Sequence, residues 1–120
     1  MLIRVDIGCD DERIDPSTAS LRRDLAELDI TAIDRAPGFP TAEGSRGFDA
    51  GALSALLVSV EPGLELLKAV VATVGAWLKR DPSVRNCTLE IAGDRLEMTG
   101  LSEDEQRGYA EAWIRMHAGG

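Results

Sequence analysis

The chain has 120 residues, enough for one domain with a single core that needs no disulfide or metal staple. Its 21 Asp and Glu against 13 Lys and Arg give a formal net charge of −8, which repels phosphate backbones and argues against nucleic acid as a partner. Cys9 and Cys87 show neither a CxxC nor metal-ligand spacing, so a disulfide framework is excluded and a reducing, cytoplasmic setting is expected.

At the start, Leu2–Ile7 alternates, with Ile3, Val5 and Ile7 on one face and Arg4 and Asp6 on the other, the period of a half-buried strand. Gly8–Asp15 reads as an acidic loop closed by Asp15-Pro16, an N-cap followed by proline at the first helical position. Leu21, Leu25 and Leu28 mark the inner face of a short helix, and Ile30–Asp34 is a second strand candidate. Residues 1–35 therefore read as a βαβ unit with parallel strands. Residues 36–48 hold two prolines and three glycines, which forbid a regular element. They are expected to form a flexible loop, with Pro37, Gly38, Pro40, Gly44 and Gly47 as its breakers.

Residues 49–80 are apolar almost all round. They read as two helices joined at Pro62, because proline cannot continue a helix. In the second helix Ala69, Ala72, Gly75 and Ala76 form a strip of small residues that another backbone can approach closely. A β-hairpin follows over residues 86–100. Placing its turn at Gly93-Asp94 sets Ile91 opposite Leu96, Leu89 opposite Met98 and Glu90 opposite Glu97. Residues 102–117 form a closing helix behind the capping box Ser102-Glu103-Asp104-Glu105. The order βαβ–αα–ββ–α predicts one α+β domain, a two-layer sandwich of about four strands with the helices mainly on one face.

Few residues offer chemistry. Asp6, Asp10 and Asp11 at the end of the first strand are the candidates for holding a hard cation such as Mg²⁺ or Ca²⁺. The competing reading is a solvated acidic loop that favours the next helix N-terminus. Gly44-Ser45-Arg46-Gly47 lacks the GK[ST] of a phosphate loop. The sole histidine, His117, sits near the chain end, and no serine lies in a GxSxG, so no catalytic set is assigned and no cofactor is expected. Trp77 and Trp113 are each read as core residues or, alternatively, as anchors for a partner.

A glycine-bearing loop, a helix start at Gly51-Ala52-Leu53, an apolar helix ending in Ala76-Trp77-Leu78 and a basic step at Lys79-Arg80 come in order. A hairpin of the form LEI-x-G-x-R-L-E follows, from Leu89 to Glu97. Over 44–101 this pattern resembles the effector-associated constant component family, small domains found mainly in actinobacterial conflict, or immune-like, systems. The resemblance implies a non-enzymatic adaptor that works through protein–protein contact with effector modules, and it carries no catalytic residues with it. The expected interaction surface is Ala69, Ala72, Gly75, Ala76, Trp77 and Trp113, with self-association as a further use. Two alternatives stand beside it: a helical hairpin that inserts into membrane, opposed by Glu61 and Glu65, and a metal-dependent enzyme or sensor using the acidic loop.

Overall fold

The computed structural model describes residues 1–37, 51–99 and 103–118. It is an α+β fold with β1 (Leu2–Asp10), α1 (Ile14–Ala26), β2 (Ala32–Pro37), β3 (Gly51–Ser59), α2 (Leu64–Arg80), β4 (Val84–Ile91), β5 (Asp94–Glu97) and α3 (Glu103–Ala118). The sheet has five strands in the order β2-β3-β1-β4-β5, and every neighbouring pair is antiparallel. The expectation of about four strands is thus corrected to five.

The extra strand comes from the first half of the expected helical hairpin. Residues 51–59 are not a helix; they form β3, paired along nine residues with β1 and along six with β2. A strand that carries apolar side chains on its outward face as well, here the exposed Leu53 and the half-buried Leu57, shows no polar alternation, so a short apolar run of this kind has no helical or extended period to distinguish it. Ser54, Ala55, Leu56 and Val58 are all buried there. Proline still acts as predicted one step later, since α2 starts just beyond Pro62. The βαβ expectation survives in orientation only. β1 and β2 each run antiparallel to β3 and hence parallel to one another, but β3 lies between them.

The register divides the sheet cleanly. Ile3, Val5, Ile7 and Cys9 of β1, Leu56 and Val58 of β3, and Cys87, Leu89 and Leu96 of the hairpin share one face. They merge with Leu21 and Leu25 of α1, the inner side of α2, and Trp113 and Ile114 of α3 into one core. The helices therefore form the second layer on that face. The opposite face bears two cross-strand rows, Arg4–Glu90–Arg95 and Asp6–Thr88–Glu97. Within them Arg4 Nε donates to both Asp6 carboxylate oxygens at 3.0 and 3.2 Å.

Two local expectations need correction. The hairpin turn is Ala92-Gly93, one residue earlier than read from the sequence, because both residues take positive φ (52° and 87°), the conformation of a tight two-residue turn. The pairing moves by two residues, which keeps Leu89, Ile91, Leu96 and Met98 on the core face and sets Glu90 against Arg95 instead of Glu97. The like-charge contact disappears. At α1 the N-cap is Arg13, with no side-chain cap, and Asp15 lies inside the first turn, where it pairs with Arg35 at 2.7 Å.

Candidate functional site

Helix α2 positions both features of interest. Its residues Leu67, Val70, Val71, Val74 and Trp77 recur at helical spacing and are buried in the core. Nearly half a turn away, Ala72, Gly75 and Ala76 face α3 across a groove of about 550 Å³, whose other wall includes Ala110 and Ile114. Lys68 and Lys79 rim it on the α2 side, Arg107 and Glu111 on the α3 side. A Cβ placed on Gly75 would meet nothing within 4 Å. No packing demand within the described fold requires glycine there, although glycine in a helix interior costs about 1 kcal/mol relative to alanine.

Three of the six expected surface residues thus line one groove, while Ala69 is half-buried and lies outside its lining. The two tryptophans do not belong to that surface. Trp77 is 1 % exposed and Trp113 4 % exposed, so both are core residues. Trp113 Nε1 donates to the Asp94 carbonyl at 3.2 Å, and its ring meets His117 edge-on with centroids 5.2 Å apart. His117 in turn lies 2.7 Å from an Asp94 carboxylate oxygen, so it is tied to the hairpin and not frayed. The loop residues Gly38, Pro40, Gly44 and Gly47 lie outside the described residues, as does Ser102; Pro37 ends β2.

The acidic candidates are held apart by basic partners. Asp6 is engaged by Arg4, Asp10 pairs with Arg85 at 2.5 Å, and Asp11 is exposed on the loop. Burial pushes the Asp6 carboxyl above its ordinary range, with Arg4 pulling it back. Among the described residues no group of three or more His, Cys, Asp or Glu is placed to hold a metal ion.

The most organised polar cluster escaped the sequence reading. It joins β1, α1 and the segment after α2. Ser17 Oγ, fully buried, donates to Asp81 Oδ2 at 2.5 Å, and Ser83 donates to Asp81 Oδ1 through its hydroxyl at 2.6 Å and its backbone N–H at 3.2 Å. Cys9 Sγ lies 3.4 Å from Ser83 Oγ and 3.7 Å from Ser17 Oγ. Burial alone would raise the Asp81 carboxyl, but the Ser17 and Ser83 hydrogen bonds and the Arg13 charge outweigh it and hold the group below the usual carboxylate range. Such a carboxylate is a poor proton acceptor, so the Ser17–Asp81 contact is a structural tie between helices rather than an activated nucleophile. The one sequence signal was Asp81-Pro82-Ser83, a turn in which an aspartate accepts from the backbone two residues on. Cys87 lies in the core beside this end of the sheet, with its thiol pushed strongly upward by burial, and both cysteines are free.

No protein-family model, curated protein or solved structure matches the chain.

Proposed function

We propose that this domain is a non-enzymatic adaptor in a bacterial conflict system, of the effector-associated constant component kind, and that it docks an acidic amphipathic helix of its effector in the α2–α3 groove. The observation that carries the reading is Gly75. A helix-interior glycine with open space at its Cβ has no role in the packing of the described fold, and it clears room for a backbone arriving from outside. The groove runs from Lys68 to Lys79, about 16 Å of helix, which matches three turns of a docked partner helix. Its rim carries Lys68, Lys79 and Arg107 against Glu111 on a chain whose net charge is −8, so an acidic flank on the partner is complementary.

The membrane-inserting alternative has lost its premise. It needed two consecutive helices, one of those segments is a strand inside the sheet, and among the described residues no helix is long and apolar enough to cross a membrane.

The test is calorimetric titration of the chain with effector modules encoded beside its gene. At least one is expected to bind with micromolar affinity or better, and Ala72→Arg and Ala76→Arg, both at exposed positions, are expected to weaken it at least about tenfold. Equal binding by these variants, or no binding by any such module, refutes the reading.

A further inference from the structure

The sheet ends in β2 on one side and β5 on the other, and the two free edges are finished differently. Along β2 the register turns the Ile33 carbonyl outward, and Arg22 of α1 donates to it at 3.2 Å, so a side chain occupies that edge. Along β5 the described residues supply no such cover. The Met98 N–H donates to the Cys87 carbonyl, which fixes the alternation of the hairpin. Asp94 and Leu96 bond to β4, and the backbone N–H and C=O groups of Arg95 and Glu97 point away from it. An open edge of this kind is a template for another strand.

Beside that edge α3 leaves apolar surface uncovered. Tyr109, Ala112 and Met116 recur at helical spacing and, with Arg95 and Glu97, line a recess of about 350 Å³. Tyr109 is 57 % and Met116 68 % exposed. No residue of this recess lines the α2–α3 groove, so the surface is independent of the proposed docking site.

The side chains on the edge select its occupant. Two copies of Asp94–Glu97 laid antiparallel about a two-fold axis at Leu96 set Arg95 of each opposite Glu97 of the other. These are the positions whose backbone groups face the open edge, so each such pair exchanges both of its hydrogen bonds. Moving the axis to Arg95 or to Glu97 would set like charges directly opposite, which is unfavourable. Charges on an edge strand ordinarily repel a second strand, but a cation and an anion two residues apart make this edge complementary to itself in one register. We propose that the chain forms a two-fold dimer by pairing β5 with β5 of a second copy in that register. The two sheets become one, and the exposed Tyr109 and Met116 of both α3 helices cover each other beside the junction.

The test is sedimentation equilibrium of the whole chain at neutral pH and low salt. Reversible association to the mass of two copies is expected, with a dissociation constant on the order of 0.1 mM or below, as suits a small interface. Arg95→Glu and Glu97→Arg each place like charges at both contacts and are expected to weaken the dimer at least about tenfold. An equimolar mixture of the two variants restores opposite charges at both contacts and is expected to regain the lost association, a rescue that a folding defect cannot produce. Tyr109→Asp, at an exposed position, is expected to keep the melting temperature and weaken the dimer at least about fivefold. A monomer up to about 1 mM, ten times the expected dissociation constant, overturns the proposal. So does a dimer that the charge variants or Tyr109→Asp leave intact, or a mixture of folded charge variants that stays monomeric.

Discussion

The two flanks of α2 make an instructive contrast. The sheet-facing flank carries Leu67, Val70, Val74 and Trp77, none more than 1 % exposed, and its end is knotted to α1 by the Ser17–Asp81–Ser83 hydrogen bonds. The flank toward α3 carries Ala72, Gly75 and Ala76, which leave a groove in place of interlocking side chains. One side of the helix is built to hold the fold, and the other spends helix stability on an open channel. Burial on the first flank and its absence on the second place stability and the proposed recognition on different residues of one element.

Substitutions should separate the two flanks in size and in sign. Trp77→Ala removes the largest fully buried side chain and is expected to destabilise by about 3–5 kcal/mol, read from the urea midpoint. A loss under about 1 kcal/mol would show that this flank is not the one holding the fold. Ser17→Ala takes a buried donor from Asp81 and should cost about 1–3 kcal/mol without changing the groove.

Acid titration sharpens the same point. The Asp81 carboxyl is lower in the fold than in the unfolded chain, so its contribution is full at neutral pH and is lost as pH falls below about 4, through the folded value. Asp6 is raised in the fold and runs the other way; its contribution is present at low pH and is lost as pH rises through its folded value. Asp81→Asn should therefore flatten the acid limb of a stability–pH curve, and Asp6→Asn should steepen it. The smallest effect carries the opposite sign. Gly75→Ala is expected to stabilise α2 by about 0.5–1 kcal/mol while weakening the proposed effector docking. Gly108→Ala on α3, equally unobstructed and outside the groove lining, should stabilise without touching binding.

Much of the fold was legible because periodicity reports burial on one face. The alternation of β1, the leucines of α1 and the stripe of α2 all satisfied that condition. β3 did not, since apolar Leu53 and Leu57 stand on its outward face too and hide its period, and only its tertiary position decides strand over helix. The hairpin was read in the right place with its turn one residue off, because Ala92 accepts a positive φ that its side chain disfavours. For the candidate site, the small-residue strip of α2 was visible as a spacing, but that both tryptophans lie in the core was not. The Ser17–Asp81–Ser83 cluster was invisible for a plainer reason: its partners lie up to 64 residues apart, and nothing local marks a serine that a later turn will claim.

The placement of β1 at the centre of the sheet also sets the order in which the chain can close. Leu2 meets Ser59, and Cys9 meets Val84, so the first strand stays unsatisfied on one edge until residue 59 is available and on the other until the eighties. During synthesis β1 waits for partners made well after it, and pairing this distant slows folding by the entropy of closing the intervening loops. A ribosome-tethered fragment ending before residue 84 would hold an unpaired, apolar β1 edge, the state in which this molecule is most vulnerable to association with its own kind.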